Sequence, residues 1–458
     1  MSLLIDKKTI QKYDVPGPRY TSYPTAPEWS DEVTPAVYAG KLAAFGQSEK
    51  TLSLYIHIPF CESMCYFCAC MVAIRKQEEH YGDDYLKSLF REIDLIAGHI
   101  GRRKTIRQLH WGGGTPTFLS EGQLQKLFAR IASHFDIDFA GEVAIEIDPR
   151  RVTRGKLQLL QKLGFNRVSM GIQDFDAKVQ ETVNRIQPFE RVEEVNAWCR
   201  ELGFLSINFD LIYGLPLQTR ESFRDTVAKV IALKPDRIAL YSFAYLPWMK
   251  KHQTKLDTAD LPGTDQKLEI FLEARGMFLN NGYDAIAMDH FALKNDELAV
   301  AFRGGTLYRN FMGYTVKPAD EYVGAGVSAI GFLEHTYVQN HKTLPEYTKA
   351  LDSGALPVER GKVLSLDDRA RRWTINALIC QFEVDKLKFA DEFHTDFDRY
   401  FQKEQPHIEA CVRDRLLEAG ERSLKVTELG KFFIRNICMG FDWYLHQADA
   451  HKNFSRTV

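Results

Sequence analysis

No stretch of about 18 apolar residues occurs in this sequence, so no membrane-spanning helix is expected. An excess of charge of one sign is also missing: 59 Lys and Arg face 61 Asp and Glu, a formal net charge of −2. There is no polybasic tail and no long like-charged block. Bulk charge therefore gives no case for nucleic acid or for an anionic membrane surface as a partner. The N-terminal MSLLIDKKTIQKYDVPG holds only a short apolar patch interrupted by charges, without a signal-peptide core. Low-complexity tracts and short solenoid repeats are absent. Cysteine is sparse, eight in 458 residues, and half of it is clustered. A secreted disulfide scaffold would spread and pair its cysteines, so a reducing, cytoplasmic setting is expected. No coiled-coil heptad is present, which favours a monomer.

What is present is alternation. Continuously apolar or weakly alternating segments at 52–59, 106–113, 142–148, 167–173, 206–216 and 237–245 read as strands covered on both faces. Helical patterns lie between them. One starts at Asp83 or Asp84 and another at Ser120, and two more end on Gly164 and Gly203. About six βα units in a row imply an α/β fold with a parallel sheet, either a full or partial (βα) barrel or a doubly wound sheet. Residues 1–50, with four prolines in DVPGPRYTSYPTAPEWS, read as an arm with little regular structure. Residues 51–360 read as the βα domain with a mixed, glycine-containing C-terminal extension. Residues 361–458 read as a smaller, mainly helical domain. The segment LLEAGERSLKVTELGKFFIRN within it permits a winged-helix reading, but without a basic recognition helix it fits a lid over the barrel mouth better.

The cysteine cluster is CESMCYFCAC: Cys61, Cys65, Cys68 and Cys70. Structural zinc sites join two separated knuckles, and no second knuckle follows here. Cys65-Tyr66-Phe67-Cys68 has redox-dithiol spacing but leaves two thiols unexplained. A compact loop of thiolates suits an iron–sulfur cluster. Three ligands would leave one iron open for chemistry, whereas Cys70 as a fourth would close the cluster. Spacing leaves the open cluster, the closed cluster, zinc and a dithiol all available.

The C-x3-C-x2-C pattern with an aromatic before its last cysteine resembles the signature of radical S-adenosylmethionine enzymes. PRYTSYPTA, YIHIPFC, CYFCAC, HWGGGTPT, SMGIQDF, NFDLIYGLP, MDHFA, YRNFMGY, GVSAI and IRNICMGFDWYL, in that order along the whole chain, look like the oxygen-independent coproporphyrinogen III oxidase branch of that family. A haem-chaperone branch shares the barrel. It typically lacks the RYTSYPT arm and has an aromatic where Cys70 stands, so Arg19–Thr25 and Cys70 side with the oxidase.

The resemblance implies a partial barrel of the radical S-adenosylmethionine type. It implies a 4Fe–4S cluster on Cys61, Cys65 and Cys68, with Cys70 near the cluster but not a ligand. S-adenosylmethionine would chelate the open iron, with Tyr55, Phe67, Gly113, Glu146, Gln173, Arg185 and Asp210 around it. A second S-adenosylmethionine would meet Gly114, Thr115, Ala244, Ile330 and, more weakly, Phe311. It further implies reductive cleavage to a 5′-deoxyadenosyl radical, abstraction of a propionate β-hydrogen, and conversion of two propionates of coproporphyrinogen III to vinyl groups, with an external electron donor. Most of these residues fall at or near the C-terminal ends of expected strands, where βα barrels carry chemistry. His57 shares a strand face with Tyr55 and reads equally as a satisfied core histidine. Arg19, Arg303 and Arg309 are candidates for the substrate carboxylates.

Overall fold

Leu52, Leu54, Ile56 and Ile58 are buried and alternate with Ser53, Tyr55 and His57 along the first long strand. The computed structural model describes residues 7–319, 321–447 and 454–457, and this alternation organises it. In chain order the strands are β1 (Leu52–Ile58), β2 (Phe60–Cys61), β3 (Ala73–Ile74), β4 (Thr105–Gly113), β5 (Asp136–Ile147), β6 (Arg167–Gln173) and β7 (Ser206–Tyr213). There follow β8 (Arg237–Ser242), β9 (Tyr283–Ile286), β10 (His290–Leu293), β11 (Tyr308–Asn310), β12 (Gly313–Thr315) and β13 (Glu321–Ala325). The last are β14 (Ile330–Leu333), β15 (Thr336–Asn340), β16 (Val358–Val363), β17 (Glu383–Asp385), β18 (Leu417–Ala419) and β19 (Ser423–Val426).

Twelve of them form one sheet in the order β16-β15-β14-β13-β1-β4-β5-β6-β7-β8-β10-β9. From β13 to β8 every pairing is parallel, and both flanks continue antiparallel. The order has two free ends, so the barrel is partial. The outward phase of each parallel strand is apolar: Val143 and Ile145, Val168 and Met170, Ile207 and Phe209 join Leu86, Leu89 and Ile93 of the helix Glu79–Ile100 in one core. The inward phase is polar: Glu142 and Glu146, Ser169 and Gln173, Asn208 and Asp210 line the interior.

The second core belongs to the C-terminal region. The helix Leu366–Gln381, shorter helices and the three-stranded sheet β17-β19-β18 enclose Phe389, Phe397, Phe401 and Phe441. Tyr13, Tyr20 and Tyr23 of the arm are part of that core. Trp29 stacks on Tyr337 at 5.0 Å. β16 runs across residue 361, and the helical region begins after it.

Local expectations fail in three places. The arm is more ordered than its prolines suggest. Thr34 caps a helix Pro35–Gln47 with proline in its first turn, and Tyr38, Leu42 and Phe45 bury one face. The helix expected from Asp83 or Asp84 begins at Glu79, leaving Asp83 to accept from Gln123 and Asp84 to pair with Lys87. ELGKFFIRNICMGFDWYL (428–445), whose apolar pattern reads as helical, is not one helix. It divides into a 3-10 turn Gly430–Phe433, a short helix Ile434–Met439 and, from Tyr444, a further 3-10 turn; Asn436 and Arg435 of the short helix bond the arm's carbonyls. The caps expected at Ser120, Gly164 and Gly203 are present.

Candidate active site

The cysteine loop is held at its own two ends and by three other segments of the chain. Its entry and exit are pinned by the parallel pair β2 and β3. Tyr66 N donates to Val183 O at 2.9 Å and Asn184 Nδ2 to Met64 O at 2.8 Å. From the opposite side His252 meets Cys68 O at 2.7 Å, Gln253 donates to Phe67 O at 3.2 Å and Lys250 to Cys70 O at 3.1 Å. His57 supplies the last tie, with Nε2 3.0 Å from Met71 O and Nδ1 3.0 Å from Tyr55 Oη. Burial lowers the His57 pKa, so the neutral ring donates from Nε2 and accepts the tyrosine proton at Nδ1.

Cys61, Cys65, Phe67, Cys68 and Cys70 line a cavity of about 520 Å³ inside the barrel. None of the four thiols is in a disulfide. Cys61 Sγ lies 3.4 Å from Thr115 Oγ1, and burial pushes its thiol up to about 11. Cys68 is lowered to about 7, first by its hydrogen bond with Cys70 and further by Lys250 and Arg185; Cys70 is correspondingly raised. No three His, Cys, Asp or Glu side chains among the described residues converge on a single-ion site. The thiols instead border a shared volume, and a multi-iron core takes its thiolates on different irons. Soft donors on one loop with cations beside them fit an anionic iron–sulfur cluster.

Around the same cavity stand Gly113, Gly114, Thr115, Glu146, Gln173, Arg185, Asp210 and Ala244. Gly113 has φ +113°, and a Cβ there would lie 2.5 Å from the His57 ring. Gly114 donates to Ile58 O at 2.8 Å, and a Cβ would strike Phe60 O at 2.7 Å. Only glycine lets the strand end pass this close to the loop. Glu146 accepts from Gly113 N at 3.0 Å and pairs with His110 at 3.2 Å. Burial alone would raise its pKa, but His110 and the amide hold it low. Asp210, bonded by Ser169 and Asn208 at 2.9 Å, goes the other way: burial and the Glu146 charge raise it to about 6. Gln173 sits at φ +68° where the β6–β7 register breaks, a strained backbone at the cavity wall. Arg185 is buried, donating to Gly171 O at 2.7 Å, while its Nε has no partner.

Not every expected residue lines the cavity. Tyr55 lies behind the wall, stacked on His110 at 5.8 Å. Ile330 and Phe311 sit in the apolar cluster of Trp29, Tyr322 and Phe332, beside Met312, which does reach the cavity. Arg19 lines the cavity and pairs with Asp289 at 2.8 Å. Arg309 is turned to the arm carbonyls of Arg19 and Tyr20, and Arg303 pairs with Asp284 outside the cavity.

The sequence reading missed His110, Glu142, Asp148, Arg150, Arg167, Asn208 and Arg237, all of which line the cavity. Arg150 grips Asp148 through both oxygens, Nε reaching Oδ1 at 2.9 Å and Nη2 reaching Oδ2 at 2.7 Å. Burial would raise that carboxyl, but Arg185 and Arg150 hold it at about 2. The available signal was the polar phase of each strand's period-two alternation, as in Glu142-x-Ala144-x-Glu146.

A partial barrel with a cysteine loop of C-x3-C-x2-C spacing after its first strand is the architecture of radical S-adenosylmethionine proteins. The sequence model of the Radical SAM superfamily matches residues 55–230, and that of the HemN C-terminal domain matches 364–433. The chain is 43% identical to the oxygen-independent coproporphyrinogen III oxidase of Pseudomonas aeruginosa, over 99% of this chain and 98% of that one. It is 42% identical to the Escherichia coli protein of the same name, over 99% and 98%. The solved structure of Escherichia coli coproporphyrinogen III oxidase (HemN), described as a radical SAM enzyme, superposes with a TM-score of 0.92. That match has 40% identity and covers 97% of this chain and all of that one. The chain belongs to the oxygen-independent coproporphyrinogen III oxidase family.

Proposed function

We infer that this protein is an oxidoreductase that converts coproporphyrinogen III to protoporphyrinogen IX without oxygen, by oxidative decarboxylation of two propionates to vinyl groups. The observation that carries this reading is the family match over the whole chain, arm included, combined with a four-cysteine loop opening on one interior cavity. Relatives alike from arm to C-terminus are oxidases, which favours this over a haem chaperone.

Cys61, Cys65 and Cys68 would hold a 4Fe–4S cluster, and Arg185 would pair with the carboxylate of an S-adenosylmethionine chelating it. When bound and reduced, the pair would supply the one-electron chemistry that removes a propionate β-hydrogen, with the carboxyl leaving as carbon dioxide and the remaining electron passing to an external acceptor. Glu146 offers a carboxylate to the methionine ammonium, and Gln173 and Asp210 offer acceptors to the ribose. Gly113 keeps the strand end low enough for the cofactor to approach. Phe67 packs against Val183 and Phe243, so the loop faces the cofactor with a dry, fixed wall. Tyr55 acts at one remove, by fixing the His57 tautomer that holds the loop at Met71.

A second S-adenosylmethionine beside Gly114, Thr115, Ala244, Ile330 and Phe311 belongs to the same reading. So do an external electron donor, a cytoplasmic location and a monomeric state. Among the described residues no helix is long and apolar enough to cross a membrane. The test is anaerobic turnover: protein reconstituted with iron and sulfide, given dithionite, S-adenosylmethionine, coproporphyrinogen III and a cell extract as electron acceptor. The tetrapyrrole should lose two carboxyl groups, and unchanged substrate would reject the reading.

A further inference from the structure

A second cavity, of about 370 Å³, lies between the β8–β10–β9 edge, the helix Thr264–Asn280 and the C-terminal region. It shares Arg19, Ser242 and His290 with the cysteine-lined cavity, so the two adjoin. The Arg19–Asp289–His290 group stands where they meet, with Asp289 2.8 Å from Arg19 and 2.7 Å from His290. Its walls are aromatic and aliphatic, including Phe271, Phe291, Phe302, Phe382 and Phe432.

The two cavities differ in the state of their cations. Each arginine of the first faces a carboxylate: Arg19 Asp289, Arg150 and Arg185 Asp148, Arg167 Glu297, and Arg237 Asp296. In the second, Arg275 lies over the Phe432 ring at 5.3 Å and forms no carboxylate ion pair among the described residues, although Glu428 acts on it at longer range. Arg435, only 8% exposed, bonds backbone carbonyls of Gly17, Pro18 and Arg456 and forms no ion pair among the described residues, Asp289 acting on it only at longer range. Arg303 and Lys431 complete the cationic lining, each with an acidic neighbour.

As an oxidase site, the first cavity would take S-adenosylmethionine together with a four-ring substrate. Sites of roughly 300–1,000 Å³ usually serve a single ligand of drug size. The substrate therefore needs adjoining space, with apolar walls for a pyrrole edge and free positive charge for carboxylates that do not react. We propose that the second cavity is the subsite for the retained propionates of the tetrapyrrole, with Arg275 as their direct partner and Arg435 supplying buried positive potential. This rests on the oxidase reading. It assigns Arg19 and Arg303 to the same end of the substrate and leaves Arg309 to the arm.

The test uses the full-length protein and coproporphyrin III, the aromatic and unreactive tetracarboxylate, with its tetramethyl ester as the uncharged control. Binding is read from porphyrin fluorescence for wild type, Arg275→Ala, Arg275→Lys and the exposed-rim variant Arg303→Glu. Losing a charge-assisted contact should weaken Arg275→Ala binding of the acid by about tenfold to a hundredfold, leave the ester unchanged, and be largely restored in Arg275→Lys. Arg303→Glu should weaken the acid selectively as well. In anaerobic turnover the KM of Arg275→Ala should rise by the same factor. Wild-type affinity for the acid in both Arg275→Ala and Arg303→Glu, in a preparation whose wild type decarboxylates coproporphyrinogen III, would overturn the subsite and leave the oxidase standing. A wild type that neither binds the acid nor decarboxylates the substrate would overturn the oxidase reading and the subsite with it.

Discussion

Arg185 Nη1 lies 3.7 Å from Cys65 Sγ, joining the segment after the helix Ala177–Thr182 to the loop after the first strand of the barrel wall. The same guanidinium donates to Gly171 O and Gln187 Oε1. Arg185→Met should keep the iron and sulfide of the reconstituted protein and weaken S-adenosylmethionine binding by about tenfold to a hundredfold. Equilibrium dialysis under anaerobic conditions checks this. Wild-type affinity would remove Arg185 from the cofactor site.

Gly113→Ala tests the closeness of β4 to the loop. Its φ of +113° is unfavourable for any side chain, and the new methyl would meet His57. The expected cost is about 1–3 kcal/mol of stability, read from denaturant unfolding. The displaced imidazole should also loosen Met71, so iron retention should fall. A variant as stable as wild type would show that the turn relaxes freely.

Glu92 gives a pH dependence. Fully buried, it accepts from Tyr347 at 2.5 Å, Gly326 N at 2.7 Å and Asn340 at 2.6 Å, and burial still pushes it up to about 7. The folded protein therefore holds this proton to higher pH than the unfolded chain. Its stabilising contribution is present below the ordinary carboxyl range and is lost as pH rises through about 7. The stability of wild type relative to Glu92→Gln should fall by about 3 kcal/mol between roughly pH 5 and pH 8. A flat difference would mean that Glu92 is ionised throughout.

The βα order and the cysteine loop were legible because both are local: period-two strands, caps such as Ser120, and thiols at fixed spacing. What was not legible is long-range. Arg309 looks like a free loop cation, yet it is spent on arm carbonyls from residues almost three hundred positions away. Ile330 and Phe311 pack with Trp29, a contact no window of sequence contains. The inward polar phase at Glu142, Arg167, Asn208 and Arg237 was written in the strands but concealed by their apolar outward phase.

Trp29 fastens the arm to the sheet through its stack on Tyr337 and an Nε1 bond to Pro24 O at 3.1 Å. Trp29→Ala should cost about 3–5 kcal/mol, as for other buried aromatic truncations. Limited proteolysis should then cut within residues 14–34 faster than in wild type. Unchanged cutting would separate the arm's order from this contact.

The most direct measurement of the central claim follows one hydrogen atom. Coproporphyrinogen III deuterated at the propionate β-carbons is incubated anaerobically with reduced, reconstituted protein and S-adenosylmethionine, and the 5′-deoxyadenosine is analysed by mass. The account predicts deuterium in 5′-deoxyadenosine, a tetrapyrrole short of two carboxyl groups, and neither in Cys65→Ala. Unlabelled 5′-deoxyadenosine beside intact substrate, with tight stoichiometric haem binding, would contradict it.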